Sequence, residues 1–391
     1  MLMSDVFVIA GARTPMGAFQ GELSSLSAPQ LGAAAIAAAM ERSEIPASEI
    51  GETVMGCVLP AGMGQAPARQ AARQAGIPDA VPATTVSKVC GSGMKAIMVA
   101  ADGLALGRGS FAVAGGMESM SNAPYLLPKA RGGYRLGHGE IKDHMFLDGL
   151  EDASEHRLMG TYAEDAARHF QFTRQDQDAY ATESLVRAKR ALAEGDFEAE
   201  ITPVTPAGRS PVAHDEPPRK ADPAKIPLLR PAFAPDGTVT AANSSSISDG
   251  AAALILANTD GLRSQSIKPV ARIVAHASFA LEPRWFTTAP VGAVRKVLEL
   301  AGWSVEDVDL FEVNEAFAAV AMIAMRELDL PHERLNVNGG ACALGHPIGC
   351  SGARIVVTLL HALAKRGLKK GVASLCIGGG EATALALEMV S

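Results

Sequence analysis

Two cysteines and one histidine in this 391-residue chain stand in glycine-rich surroundings that expose a side chain better than they pack it. Cys90 lies in SKVCGSGMKAI, just before a helical pattern in which Ile97, Ala100, Ala101 and Leu104 share one face. A thiol near a helix N-terminus meets unpaired N–H groups and the positive end of the helix dipole, which favour the thiolate. The glycines flanking Ser92 let a substrate approach the sulfur. Taken alone, the motif suits a nucleophile and a merely packed turn cysteine equally well. His346 sits in NGGACALGHPIGCSGAR, where five glycines in 17 residues leave an imidazole free to act as acid, base or oxyanion donor. Pro347 fixes the next φ angle and helps to aim the ring. Cys376 ends an apolar strand and precedes Gly378, Gly379 and Gly380, so its sulfur can face a site while neighbouring N–H groups stay free as donors. Asn314, in EVNEAFA, offers an amide that can hold a water or donate directly; it also suits a helix N-cap, and both can hold.

Two thiols, an imidazole, an amide and a glycine-lined hole fit one sequence of steps. A thiolate attacks a thioester with little change in bond energy and forms an acyl-enzyme. A second base then removes a proton beside another thioester carbonyl, and the resulting enolate needs hydrogen-bond donors. Carbon–carbon bond formation, or its reverse, follows. No HxxxH, CxxC or clustered carboxylate set is present, so no metal site is expected.

These residues need a rigid frame, and the chain is long enough for two or three domains at roughly 150 residues each. Apolar strands such as residues 110–114 and 372–377 alternate with amphipathic helices, the signature of βα units around buried sheets. The pattern repeats. PASEIGETVMG (46–56) lies beside SVEDVDLFEVN (304–314), and GSGMKAI (91–97) beside CSGARIV (350–356). From Ile50 to Gly93 is 43 positions and from Val308 to Gly352 is 44, so both pairs fall in the same order at nearly the same spacing. FAVAGGMES and SLCIGGGEAT then close the two halves alike. Residues 1–119 with a return at 249–270 are expected to form the first copy, and residues 271–391 the second. Between them, residues 120–248 change texture to Pro, His and charged residues, with one clear helix opened by Thr173 and stopped at Gly195.

Composition narrows the partners. With 35 Lys+Arg against 42 Asp+Glu the net charge is -7, and no basic stretch could track a nucleic-acid backbone. The longest apolar run, residues 31–40, falls far short of the roughly 18 to 20 residues of a membrane span. The cysteines at 57, 90, 342, 350 and 376 are odd in number and isolated in spacing, so reduced thiols are expected. The chain runs almost directly into VFVIA without a charged leader, which points to a cytoplasmic protein.

At these residues the chain resembles the thiolases, within them the acetyl-CoA acetyltransferase branch. The likeness spans essentially the whole length, through VIAGARTPMGAF (8–19), VCGSG, AGGMESMS, GTVTAANSS, NEAFA, GGACALGHPIGCSGAR and CIGGG. It implies an α/β thiolase fold, a duplicated five-layered αβαβα architecture with two mixed five-stranded sheets. It further implies an inserted loop domain that grips coenzyme A and makes oligomer contacts, and a homotetramer built as a dimer of dimers. By resemblance Cys90 is the acylated nucleophile, His346 the group that activates it, and Cys376 the acid/base that deprotonates the incoming acetyl-CoA. Asn314 would hold a water for one oxyanion hole, while the N–H groups of Cys90 and Gly378 would form the other. Ser245 matches a pantetheine contact and Phe317 a wall of the acyl pocket.

Two positions depart from the family. Leu158, before Met159 and Gly160, replaces a histidine of the pantetheine tunnel, and His156 lies two positions early. Phe286 stands where biosynthetic members carry a methionine beside the acyl group, which leaves chain length open. Arg219, with Lys220, falls where nucleotide phosphates would be held. The resemblance thus implies reversible Claisen condensation of two acetyl-CoA to acetoacetyl-CoA and coenzyme A, within fatty-acid metabolism. Coenzyme A thioesters are the substrates, and no cofactor is tightly bound. A thiolase that cleaves longer 3-ketoacyl-CoA in β-oxidation would use the same residues. A non-catalytic acyl-CoA or lipid carrier of this fold should have lost one of the reactive side chains, and all are present.

Overall fold

Runs of Val, Ile, Leu and Ala alternate with amphipathic stretches, and the computed structural model, which describes residues 4–390, folds them into two βα repeats with an excursion inside the first. The first repeat runs β1 (Val6–Arg13), β2 (Gly17–Ala18), α1 (Ala28–Ser43), β3 (Ile50–Gly56), α2 (Pro67–Gln74), β4 (Ala83–Val86), α3 (Ser92–Ala105) and β5 (Phe111–Ser119). The excursion carries β6 (Tyr125–Leu126), β7 (Lys142–Asp143), α4 (Met159–His169), α5 (Arg174–Ala193) and α6 (Glu216–Lys220). After it, β8 (Ser248–Asn258) and α7 (Thr259–Gln265) close the repeat. The second repeat is β9 (Ala271–Ala280), α8 (Ala289–Ala301), β10 (Leu310–Val313), α9 (Ala318–Leu328), α10 (Ala341–Leu344), α11 (Ser351–Arg366), β11 (Lys370–Ile377) and β12 (Glu381–Met389).

The long strands lie in the order β10-β11-β12-β9-β1-β8-β5-β3-β4, and the two halves of that order mirror each other. The pairs β3/β5 and β10/β11 are parallel, while β5/β8, β8/β1, β11/β12 and β12/β9 are antiparallel. The two sheets join through a short antiparallel contact of residues 6–8 on β1 with 271–273 on β9. The outermost strand of the second copy is reduced to a single bridge, Phe311 to Leu335.

Strands buried on both faces separate the helices into layers. On β5, Ala112 and Ala114 face a central core with α3 and α11, while Phe111, Val113 and Met117 face an outer core with α1 and α2. Strand residues of the second copy do the same, with Ala373 and Leu375 turned inward and Val372 and Cys376 turned toward α8 and α9. The result is α1/α2, sheet, α3/α11, sheet, α8/α9. At the centre the N-terminal turns of α3 and α11 touch: a Cβ on Gly93 would stand 2.8 Å from the Ala353 nitrogen, and one on Gly352 would stand 2.5 Å from that of Met94. Only glycine permits this approach, and it brings together the turns that precede both helices.

Two of the ties that hold the excursion down are buried. Arg13, fully buried on β1, donates to Glu200 at 2.5 Å and to both oxygens of Asp215 at 2.7 and 2.9 Å. Helix α5, opened by the Thr173–Asp176 capping box, donates from Tyr180 and Ser184 to Glu315 at 2.9 and 2.7 Å. Among the described residues no helix is long and apolar enough to cross a membrane.

Candidate active site

Cys90 sits in a tight turn between β4 and α3 that its own neighbours enforce. The Ser92 hydroxyl donates to the Val89 carbonyl at 2.7 Å and accepts the Lys88 N–H at 2.8 Å, and Gly91 N–H returns to Lys88 O at 3.0 Å. Val89 is held at φ 44°, a left-handed conformation that a β-branched residue rarely adopts. The turn presses on the end of β11: a Cβ on Gly91 would stand 2.4 Å from Ile377, and Lys88 pairs with Glu381 just beyond the three glycines. The backbone N–H groups of Gly378 and of Cys90 itself point at the sulfur and favour its anion, yet burial outweighs them and pushes the thiol up to about 11. The sequence pointed to a stabilised thiolate; in the folded protein the resting group is a thiol, because desolvation exceeds the pull of two amides.

Cys376, fully buried at the end of β11, lies close enough to Cys90 that a thiolate on one opposes a thiolate on the other. Burial and that repulsion push it well above the usual thiol range. Thus the structure brings the two sulfurs, one from each copy, and the Gly378 N–H to one place.

His346 is buried in the turn before α11, its backbone N–H held by Ser246 O at 3.0 Å. Its Nδ1 lies 2.5 Å from Ser351 Oγ and 3.4 Å from Asn314 Nδ2, while Nε2 has no protein partner. Ser351 Oγ also lies 3.0 Å from Pro347 O. Burial, and then the positive charge of Arg354, lower the imidazole to about 3, so the ring is neutral at working pH. Ile348 of the same turn shares an apolar cluster with Val58, Leu59, Met120 and Met145, against which Cys90 packs. Asn314 directly follows β10; Arg354 Nη2 lies 3.4 Å from its Oδ1, and its Nδ2 lies 3.4 Å from His346 Nδ1. The N-cap reading does not hold for it, because α9 starts at Ala318 with Phe317 as its cap.

The predicted binding residues gather around these groups with one exception. Ser245 donates from both N and Oγ to Ala316 O at 2.9 and 3.1 Å, beside Phe317. Phe317 meets Phe233 and Phe286 edge-on, with ring centroids 6.1 and 6.3 Å away, in the core that also holds Cys376. Leu158 caps α4, and Met159 places its sulfur 3.3 Å from where a Cβ on Gly378 would be. A groove of about 360 Å³ is lined in part by Lys220, Lys225, Ser246, Cys342 and Ala343, and the carbonyl of Ser246 accepts the His346 N–H. Arg219 is turned away from it, donating to Glu22 at 2.5 Å and lining another cavity with Arg209 and His214. Lys220, one residue on, lines the groove with Lys225 and pairs with Glu216.

Ser351 and Arg354, which orient the imidazole and the amide, were not distinguished in the sequence. Both lie in the CSGAR segment, five and eight positions after His346, where helical spacing returns them to the turn they follow. Among the described residues no group of three or more His, Cys, Asp or Glu side chains could hold a metal ion.

Known proteins match this chain over nearly its whole length. The family models described as thiolase, N-terminal domain, and thiolase, C-terminal domain, match residues 6–260 and 267–389. An acetyl-CoA acetyltransferase of Pseudomonas aeruginosa is 47% identical over 390 residues, covering 98% of this chain and 99% of that protein. The crystal structure of the Bacillus anthracis acetyl-CoA acetyltransferase superposes with a TM-score of 0.97 at 41% identity, covering 100% of both chains. That of the Acat5 thiolase from Ascaris suum in complex with coenzyme A superposes with a TM-score of 0.94 at 43% identity, covering 99% of this chain and 100% of that one.

Proposed function

The chain belongs to the thiolase family, and we propose that its two thiols divide the work of an acetyl-CoA acetyltransferase, which joins two acetyl-CoA into acetoacetyl-CoA and coenzyme A. The observation that carries this reading is the convergence of Cys90 and Cys376 beside the Gly378 N–H. The proton of Ser351 goes to Pro347 O, so Nδ1 of His346 carries its own hydrogen and Nε2 offers a free lone pair. Nε2 takes the Cys90 proton as the sulfur attacks the acetyl-CoA carbonyl. A lone thiolate and a lone imidazolium are each costly in this burial, but transfer of one proton between them adds no net charge. The carbonyl oxygen takes over the N–H groups of Cys90 and Gly378 that now face the sulfur. Coenzyme A leaves as the thiol with the proton from His346, and acetyl-Cys90 remains.

A second acetyl-CoA then enters the groove past Lys220 and Lys225, its pantetheine arm beside Ser245 and its acyl end toward Phe317, Phe286 and Met159. Nε2 of His346 now takes the Cys376 proton, the Cys376 thiolate removes the α-proton, and the enolate oxygen accepts from that Nε2–H and from a water on Asn314. The carbanion attacks acetyl-Cys90, and acetoacetyl-CoA leaves as Cys90 takes the proton from His346, which restores the resting thiols. The excursion of residues 120–248 serves as the coenzyme A-gripping domain. A homotetramer, a dimer of dimers, is supported by the exposed Tyr125, Leu127, Leu136 and Ile141 on that excursion. A cytoplasmic setting is supported by five free thiols, two of which the chemistry needs reduced.

The test is labelled acetyl-CoA. Cys90→Ala should form no acyl-enzyme, and label recovered on any other residue would refute the assignment. Cys376→Ala should still acylate but lose α-proton exchange and condensation by about 10²- to 10⁴-fold, the span of a missing general base. Condensation at the original rate in that variant removes Cys376 from the role.

A further inference from the structure

Glu118, near the end of β5, takes no part in the steps above, yet it is fully buried and accepts only from neutral donors. Its Oε2 accepts the N–H of Val58 and of Gly349, both at 2.9 Å, and its Oε1 accepts the N–H of Leu59 at 3.2 Å with the Cys57 thiol at 3.6 Å. Val58 and Leu59 follow β3 of the first copy, whereas Gly349 belongs to the turn of the second copy that carries His346. A Cβ on Gly349 would stand 2.6 Å from the carboxylate, so glycine is what lets the charge come this close. The two turns it joins also meet through Val58, Leu59 and Ile348, the apolar cluster against which Cys90 lies. A buried carboxylate without a cation is a costly way to pack a sheet end, and an apolar residue would fill the space more cheaply. What it supplies is an acceptor for three backbone N–H groups and a thiol that converge from the two copies.

We propose that Glu118 is a positioning residue for acyl transfer: its ionised carboxylate clamps the turn 346–349 onto Val58 and Leu59 and so sets His346 against Cys90. The proposal rests on the roles given above to Cys90 and His346. Protonation would turn one oxygen from acceptor to donor where N–H groups already point, so the clamp needs the anion. Burial, against the pull of those N–H groups, raises the carboxyl to about 7. The titratable groups facing it are Cys57, Cys90 and Cys350, all raised by burial out of the range in which Glu118 titrates. The sign is distinctive. Because the folded value exceeds the ordinary 4.5, ionisation lowers stability as pH rises through that interval to about 7, while the same ionisation forms the clamp.

Glu118→Gln keeps the shape and removes the charge. The expected result is a folded enzyme with KM for acetyl-CoA within about twofold of the parent and a single-turnover acetylation rate at least about tenfold lower at pH 8. The parent's rate should fall as pH drops through about 7, and that limb should flatten in the variant. An unchanged acetylation rate, or an unchanged acid limb, overturns the proposal. Should the variant not fold, hydrogen exchange of the parent decides. After correction for intrinsic rates, peptides covering residues 56–62 and 343–352 should be less protected at pH 6 than at pH 8, and equal protection sinks the clamp. Exchange does not depend on which residue is acylated, so failure of the clamp and failure of the Cys90 assignment remain distinguishable.

Discussion

At Cys90 two opposed effects act on one proton: the N–H groups of Gly378 and Cys90 draw it off, and burial holds it on. Burial prevails, so the thiolate is a small fraction of the resting enzyme, about one part in a thousand at pH 8 for a group near 11. Iodoacetamide alkylation of the Cys90 peptide should therefore climb about tenfold per pH unit from pH 7 and still be rising at pH 9. A plateau below pH 8 would mean that the two amides win. The position of Cys90 before a helix and beside the glycines that flank Ser92 was legible in the sequence; the balance was not, because the turn packs against Ile377 and Gly378, nearly 290 positions away. The same holds for His346. Its exposure by glycine-rich backbone was readable, but its neutrality down to about 3 depends on burial and on Arg354 packed beneath it.

Turns, more than helices or strands, decide which side chains meet. Phe286 lies on the 3-10 turn Pro283–Thr288, which presses on the glycine loop after Cys376: a Cβ on Gly380 would stand 2.3 Å from Leu281 O and 2.8 Å from Pro283. Its ring closes one side of the aromatic wall around Phe317, and a methionine there would bend out of the way more readily. Phe286→Val should open that wall. With each buried methylene worth about 0.8 kcal/mol, the ratio of kcat/KM for a six-carbon over a four-carbon 3-ketoacyl-CoA should rise up to about tenfold. A ladder of chain lengths measures it, and an unchanged ratio places the acyl chain elsewhere. The sequence showed the substitution at this position but not its consequence, since the three rings come together only in the folded core. Glu118 shows the limit more sharply. GGMES reads as the end of a strand, and nothing local announces that its carboxylate bonds Val58 sixty positions back and Gly349 231 positions on. Arg219 and Lys220 show the same limit: adjacent on α6, they line different cavities, which the sequence does not reveal.

Across the whole molecule, the duplication supplies the two thiols and the excursion supplies the groove, so the activity depends on how the excursion is held. Arg13 carries much of that load. It comes from the first strand, its partners Glu200 and Asp215 come from the excursion, and Thr358 of α11 donates to Glu200 at 3.2 Å, so all three parts of the chain meet at one buried cation. Asp215 also accepts the Met16 N–H at 2.7 Å, and the next residue, Glu216, begins α6, which carries Lys220 into the groove. Paired carboxylates keep the Arg13 guanidinium charged despite complete burial. Removing one member of such a cluster leaves the others charged and unpaired, at a cost of about 3 to 5 kcal/mol, whereas an exposed pair such as Arg73–Asp79 is worth about 1 kcal/mol or less. Arg13→Met should therefore lower the urea midpoint clearly while Arg73→Ala leaves it nearly unchanged. Loss of the tether should also loosen the excursion before the two repeats unfold. Limited proteolysis at the exposed residues 207–211 should then quicken, and KM for acetyl-CoA should rise severalfold while Cys90 still acylates at saturation. Equal urea midpoints for the two variants would show that the excursion's other ties, Tyr180 and Ser184 on Glu315 among them, suffice to hold it.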